Sequence, residues 1–165
     1  MKKIFLIIAV IILCGLFFLL LTRTKNSNLS NMPQVTNIPE KPSVVINNIK
    51  IIVRLAKTPE EQSRGLSGTA SLSENEGMLF IFPVKNRQTF WMKDMLIPLD
   101  MIWISDDKIV DISKNIPIPK PGMSDIQLPI YSPKEEVNYV LEVNAGYSDI
   151  NNIKIGDRVE FNYIY

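Results

Sequence analysis

Histidine is absent from the 165-residue chain, and cysteine occurs once, as Cys14. Protein zinc and iron sites are built mostly from histidine and cysteine side chains, and the common nucleophile–histidine mechanisms require an imidazole. We therefore expect no metal site and no cofactor, and these catalytic mechanisms are excluded. Because no cysteine follows residue 14, the sequence also predicts no disulfide from which a cellular compartment could be inferred.

An excess of charge of one sign is lacking as well, since 18 lysines and arginines stand against 17 aspartates and glutamates. Proteins that bind nucleic acids usually concentrate lysine and arginine in a patch or along one element. No such stripe occurs in this sequence, so we expect no nucleic-acid partner.

A long hydrophobic run is present near the N-terminus, where residues 4–21 carry no charge. Its length is near the minimum for a helix that crosses about 30 Å of hydrocarbon. No cleavage site with small residues follows, so we expect a retained transmembrane anchor and not a signal peptide. Cys14 lies inside this run behind Leu13, where a lipidation motif would need a small residue, so we interpret Cys14 as an apolar helix residue.

The charges on either side of this run predict its orientation. Lys2, Lys3 and the α-amino group precede it, whereas Arg23 and Lys25 follow it. The positive-inside rule therefore favours a cytoplasmic N-terminus and an external position for the rest of the chain. We expect a single-pass protein of the cell membrane that contacts the lipid bilayer through residues 4–21.

The remainder of the chain divides into a linker and one domain. Residues 22–46 are rich in Asn, Ser and Pro and show no hydrophobic periodicity, which predicts a flexible linker. From residue 47 to residue 165, short apolar runs recur between turn residues, which is typical of a single β-rich domain.

Helix signals are few. Thr58 and Glu61 have the spacing of a capping box, and Pro59 suits the first helical position. Gly65 suits the position at which the helix ends. These residues predict one short helix. A second short helix is expected between residues 144 and 152.

Segments in which apolar and polar residues alternate, or in which apolar residues are continuous, predict six or seven strands. The Asp106-Asp107 pair predicts a hairpin between two of these strands. The pattern does not show the spacing of a β-α-β unit, in which a helix connects two parallel strands. We therefore predict a mostly-β fold, a compact monomeric domain of β-sandwich or barrel type with two short helices. The predicted strands are residues 49–55, 77–82, 89–92, 99–105, 108–116, 137–143 and 159–163.

Six short motifs follow one another along the predicted domain. They are Arg64-Gly65-Leu66-Ser67, Gly77-Met78-Leu79-Phe80, Phe90-Trp91-Met92-Lys93-Asp94, Ile97-Pro98-Leu99-Asp100, Tyr139-Val140-Leu141-Glu142-Val143-Asn144-Ala145-Gly146 and Ile155-Gly156-Asp157. In this order and at these spacings they resemble one family, DUF192, also called UPF0127. The resemblance covers about residues 49–165 and implies a compact mostly-β domain, often behind a signal or anchor. It implies no activity, because the family is uncharacterised. Asp106-Asp107 departs from the Asp-Gly turn that is common in the family.

Five residues are candidates for a ligand site. Trp91 and Lys93 would share a strand face, and an aromatic platform beside a charge is how proteins bind sugars, peptides and carboxylates. Asp100 and Glu142 are acids inside apolar strands, so they need partners, and together they could form a general acid–base pair. Arg64, at the end of a helix, could bind a carboxylate.

Each candidate also has a structural interpretation. Trp91 could belong to the core with Lys93 on the surface, and the two acids could be paired structurally with Arg64 or Lys93. Arg64 could equally join its helix to a strand. We predict that all five residues border one concavity, partly covered by the proline-rich loop of residues 117–136.

From these features we expect a non-enzymatic, extracytoplasmic module that binds a small polar molecule, a glycan or a peptide at the cell envelope. One alternative is a carboxylate-dependent hydrolase or lyase that acts on an envelope polymer through Asp100 and Glu142. Another is a scaffold whose β face docks a second membrane protein. The sequence leaves open whether the protein is an enzyme.

Overall fold

The domain is built on one seven-stranded sheet. The structure, a computed structural model, describes residues 40–162, so the predicted anchor and most of the predicted linker lie outside the described residues. Within residues 40–162, no helix is long and apolar enough to cross a membrane. The strands are β1 (Ser43–Ile46), β2 (Ile49–Ala56), β3 (Glu76–Asn86), β4 (Leu99–Ser105), β5 (Lys108–Ile116), β6 (Val137–Asn144) and β7 (Val159–Asn162).

The strands follow the order β5-β4-β6-β3-β2-β1-β7 in the sheet. The β2–β3 pair is parallel, and every other neighbouring pair is antiparallel. The two outer strands also approach each other, because Lys108 at the start of β5 forms a bridge with Arg158 next to β7. This contact curls the sheet into a barrel-like shape. The prediction of a mostly-β fold with two short helices is confirmed.

Two hydrophobic cores lie on opposite faces of the sheet. All seven strands contribute to the first core, which includes Ile51, Ile102 and Leu141, so the sheet curls around it. The second core lies on the other face, where connecting segments cover side chains such as Trp103 and Val140. Alternate residues of a strand point to opposite faces, which is why neighbouring positions of β4 and β6 belong to different cores.

The first helix, α1 (Pro59–Arg64), begins as the sequence predicts. The side chain of Thr58 accepts a hydrogen bond from the backbone N–H of Glu61, and the Glu61 side chain accepts one from the backbone N–H of Thr58. Because α1 lies in the connection between the parallel strands β2 and β3, these elements form a β-α-β unit. The expectation that the chain has no such unit was wrong, since the helix is too short for its pattern to stand out. The second helix, α2 (Tyr147–Ile150), is a single turn.

Two segments differ from their predicted structure. Residues 89–92 are not a strand, and only Phe90 makes a bridge, to Tyr131. Residues Ser43–Ile46, which were assigned to the linker, form β1 and pair with both β2 and β7. The run is short and preceded by Pro42, so its apolar residues give little signal without the partner strands.

Asp100 anchors the start of β4. Its side chain is 0% exposed, and its carboxylate accepts hydrogen bonds from the backbone N–H groups of Asn115 at 2.8 Å, Gly146 at 3.1 Å and Ser148 at 2.9 Å. These bonds join the start of β4 to the end of β5 and to the turn that leads into α2. Because backbone donors satisfy the carboxylate, Asp100 needs no cationic partner.

We predict that Asp100→Asn strongly destabilises a fragment of residues 40–165, which contains both cores. The amide nitrogen is a donor, so it leaves at least one buried backbone N–H without an acceptor. The free energy of unfolding, measured by urea denaturation, should fall by about 3 kcal/mol or more. Asp106→Asn is the matched control, because Asp106 forms an exposed ion pair with Lys85, and its effect should stay within about 1 kcal/mol. Equal losses in the two variants would contradict this role for Asp100.

Candidate functional site

A cavity of about 190 Å³ opens on the face of the sheet that carries the second core. Its wall is formed by the end of α1 and the residues that follow it, by β3, by the segment of residues 88–95 and by Glu142 of β6. Four of the five candidate residues line it, namely Arg64, Trp91, Lys93 and Glu142. The fifth, Asp100, does not.

Glu142 is the most unusual residue of the cavity. It is 4% exposed, and its neighbours on the adjoining strands are Met78 of β3 and Met101 of β4. Its Oε2 atom has no hydrogen-bond partner within the described residues. Burial in these apolar surroundings disfavours the charged form and raises the pKa of Glu142 to about 8. At neutral pH the side chain is therefore mostly a protonated acid, able to donate and to accept a hydrogen bond.

Gly77 allows β3 to lie close to β6 at this point. A Cβ atom on residue 77 would come within 2.6 Å of the carbonyl oxygen of Glu142. Real Cβ atoms do not approach backbone this closely, so the position requires glycine. The same Cβ atom would lie 3.2 Å from side-chain atoms of Leu141 and Val143, so Gly77 faces the first core and not the Glu142 side chain.

Trp91 and Lys93 lie at the exposed side of the cavity. Trp91 is 47% exposed, and the Lys93 ammonium lies 5.5 Å from the centre of the Trp91 ring, a cation–π contact. Lys93 also forms an ion pair with Asp125, and this hydrogen-bonded partner raises the pKa of Lys93. The predicted association of Trp91 with Lys93 is thus present, although an irregular segment and not a strand holds it.

Arg64 also lines the cavity, from the last turn of α1. Gly65 follows with φ +49, and a Cβ atom there would come within 3.2 Å of the Phe80 ring. The helix therefore ends directly against Phe80, which lines the cavity. Arg64 itself is exposed and forms no salt bridge among the described residues.

The predicted acid–base pair does not form. Asp100 pairs with Val143 across the β4–β6 ladder, whereas Glu142 pairs with Met101. Directly paired residues point to the same face and successive residues to opposite faces, so the two carboxyl groups lie on opposite sides of the sheet. The expectation that Asp100 borders the cavity was wrong. The hydrolase interpretation, which needed both acids, loses its basis.

The loop of residues 117–136 lies beside the cavity and does not line it. Tyr131 exchanges two backbone hydrogen bonds with Phe90, at 2.8 Å and 2.9 Å, and Asp125 holds Lys93. Through these contacts the loop holds the segment of residues 88–95 in position. The loop was predicted to cover part of the cavity, but none of its residues lines the cavity in the structure.

The aromatic wall of the cavity was missed by the sequence analysis. Phe90 stacks edge-to-face on Phe80, with ring centres 4.8 Å apart, and on Phe82 at 6.3 Å. Gln62 adds a polar group to the wall, and its side-chain amide donates to the carbonyl oxygen of Ile81 at 2.8 Å. Phenylalanines in apolar runs look like ordinary core residues, so nothing in the sequence marks them as a cavity wall.

The described residues contain no cluster of three or more histidine, cysteine, aspartate or glutamate side chains that could hold a metal ion. What the cavity offers instead is a lining in which polar side chains and phenylalanine rings contribute in similar measure, with one protonatable acid at its base and cations at its rim. This combination suits the binding of an organic molecule.

We predict that Glu142 makes stability decrease as pH rises. In the unfolded chain the Glu142 carboxyl loses its proton near its ordinary pKa of 4.5. In the folded domain its pKa is about 8, so it keeps the proton to a higher pH. Between these values the folded state binds more protons, so the free energy of unfolding falls by up to about 1.4 kcal/mol per pH unit.

The measurement is urea denaturation of the 40–165 fragment and its Glu142→Gln variant at intervals from pH 4 to pH 9. The other acids titrate in both proteins, so the difference between the two curves isolates Glu142. The variant should gain stability relative to the wild type throughout the window. A constant difference across it would show that Glu142 is ionised in the folded domain.

Comparison with known proteins agrees with this architecture. A solved protein from Sinorhizobium meliloti 1021, with a suggested role as a transcription regulator, is 31% identical, and the match covers 74% of this chain and 94% of that one with a TM-score of 0.65. A protein of unknown function from Novosphingobium aromaticivorans DSM 12444 is 29% identical, with 72% and 83% covered and a TM-score of 0.65. No curated protein matches the chain. The model of the family DUF192, described as an uncharacterized ACR, matches residues 43–161, and the chain therefore belongs to the DUF192 family.

Proposed function

We propose that the domain is a binding module whose cavity takes a small polar molecule, or the terminal unit of a glycan or a peptide. The observation that carries the proposal is the buried Oε2 atom of Glu142, which has no hydrogen-bond partner within residues 40–162. A buried polar atom without a partner costs free energy. A ligand that hydrogen-bonds to this atom would remove that cost, so the site favours the bound state.

The size of the cavity limits the part of the ligand that enters it. At about 190 Å³ it is slightly larger than the roughly 150 Å³ cavity that holds benzene in an engineered protein. One ring, or one sugar or side chain, is therefore the unit that fits. Trp91, exposed at the rim, provides a flat surface for whatever part of the ligand remains outside.

The proposal predicts that a library of small polar fragments contains ligands that raise the melting temperature of the 40–165 fragment. At ten times its Kd, a ligand contributes about 1.4 kcal/mol, which corresponds to a rise of roughly 5 °C for a domain of this size. Trp91→Ala should weaken or abolish the rise. The residue is partly exposed, so this variant should still fold.

Ile155→Ala is the matched control, because Ile155 is a similarly exposed apolar residue that does not line the cavity. Fragments that bind the cavity should stabilise this variant as much as the wild type. Fragments that stabilise both variants equally bind elsewhere, and a library with only such fragments would contradict the proposal.

The proposal also includes the cellular position of the domain. Residues 4–21 would anchor the protein in the cell membrane, and the domain would lie outside the cytoplasm. The supporting features are the uncharged apolar run and the slight excess of positive charge before it. A binding module held there would meet molecules of the cell envelope.

A site-specific protease tests this position. With its recognition sequence inserted after Asn26, externally added protease should release the domain from intact spheroplasts, while the anchor stays in the membrane fraction. The same protein in lysed spheroplasts is the control for cleavage itself. A domain that is released only after lysis would place it in the cytoplasm.

A second candidate function, docking of another membrane protein, has one observation in its favour. Large exposed apolar side chains are concentrated on the segment of residues 88–96 and on the neighbouring loop of residues 117–131, and such a concentration is typical of contact surfaces. Because Trp91 belongs to this group, docking would also cover the rim of the cavity. The side chains are Trp91, Leu96, Ile118, Ile126 and Ile130.

A further inference from the structure

The charges around the cavity are unevenly distributed. Three of its lining side chains can carry charge, namely Arg64, Lys93 and Glu142. Lys93 is already neutralised by its ion pair with Asp125. Glu142 is buried away from any cation and holds a proton at neutral pH, because desolvation raises its pKa to about 8. The guanidinium of Arg64 is therefore the charge that a ligand meets first.

Arg64 is suited to bind an anion. It forms no salt bridge among the described residues. The carboxylate nearest to it in sequence, Glu61, accepts hydrogen bonds from the backbone N–H groups of Thr58 and Lys57, and these bonds lower the pKa of Glu61 more than the charge of Arg64 does. A planar guanidinium presents paired donors that match the two oxygens of a carboxylate. The rim of the cavity therefore attracts an anionic group.

The base and the walls of the cavity suit different ligand groups from those that the rim attracts. Phe80, Phe82 and Phe90 line the interior, and Phe90 packs edge-to-face on each of the other two rings. An aromatic lining of this kind suits a flat apolar group. At the base, the protonated Glu142 can donate a hydrogen bond and accept one. A hydroxyl or an amide satisfies both, whereas a second anion would be repelled if Glu142 were to ionise.

We infer that the cavity binds small organic carboxylates with a short, flat apolar body, whose carboxylate pairs with Arg64 at the rim and whose far end hydrogen-bonds to Glu142 at the base. This inference rests on the proposed function, that the cavity binds a ligand. It narrows the ligand to one chemical class. A C-terminal residue of a peptide belongs to this class, and a neutral sugar does not.

Four matched probes test the two contacts separately. They are 4-hydroxyphenylacetate, 4-hydroxyphenylacetamide, phenylacetate and phenylacetamide, which differ only in the carboxylate and in the hydroxyl group. Their Kd values would be measured at pH 6.5 by NMR titration of the 40–165 fragment, with the indole N–H of Trp91 as the reporter at the rim. The buried Trp103 indole, which donates to Ser113 Oγ, is an internal reference in the same spectrum.

For the wild type we expect 4-hydroxyphenylacetate to bind most tightly, with a Kd of about 1 mM, as is usual for a ligand of this size. Replacing the carboxylate by the amide should weaken binding about tenfold, because a charge-assisted pair is lost. Removing the hydroxyl should weaken it about fivefold, because the hydrogen bond to Glu142 is lost.

Two variants assign these losses to residues. In Arg64→Gln, the difference between carboxylate and amide should shrink to about twofold, while the effect of the hydroxyl remains. In Glu142→Met, the effect of the hydroxyl should disappear, while the preference for the carboxylate remains. Glu142→Met should fold, because it replaces an unsatisfied buried acid by an apolar side chain between Met78 and Met101.

The outcomes separate this inference from the proposed function. If the amides bind as tightly as the carboxylates, or if the preference for carboxylates survives in Arg64→Gln, the inference is wrong and the binding function stands. The inference is also wrong if none of the probes binds at 10 mM while other fragments bind in the cavity. If neither the probes nor any fragment binds there, the proposed function itself is wrong.

Discussion

The arrangement of the chain depends on one buried carboxylate, that of Asp100. Three backbone N–H groups from different parts of the chain converge on it, and they fix the end of β5 and the start of α2 against β4. A carboxylate can satisfy three donors at once, whereas an apolar residue would leave them all unpaired in the interior. β4 and β6 are paired in register from this end, and the register places Glu142 opposite Met101, on the cavity side of the sheet.

Asp100 and Glu142 show how one sequence signal can have two physical outcomes. Both are acids inside apolar strands, and both are buried. Asp100 has its hydrogen bonds supplied by backbone. Glu142 has apolar neighbours and one oxygen that lacks a partner in the part of the chain that the structure describes. The partners of Asp100 lie 15 to 48 residues away in the chain, so no local pattern distinguishes the two acids. Only the pairing of β4 with β6 does so.

Local signals predicted the parts of the fold that local interactions determine. The hairpin of β4 and β5 turns at Asp106 and Asp107 as expected, and α1 begins at its capping box. Interactions between distant segments determine the rest. Phe90 pairs with Tyr131 in place of a strand, and β1 is a strand only because two others flank it. Four cavity residues could be predicted because their side chains are unusual for their positions, but the phenylalanine wall could not.

The position of β1 has a consequence for how the protein is made. β1 is flanked by β2 and β7, and its first residue, Ser43, pairs with Asn162 of β7. While the polypeptide is still emerging from the ribosome or crossing a membrane, one edge of β1 therefore has no partner, and Val44 and Ile46 cannot be fully buried. Folding can be completed only after β7 has been synthesised, and joining such distant strands is slow. During this interval the exposed edge is open to pairing with other chains, so biosynthesis of this domain is expected to benefit from a chaperone that covers it.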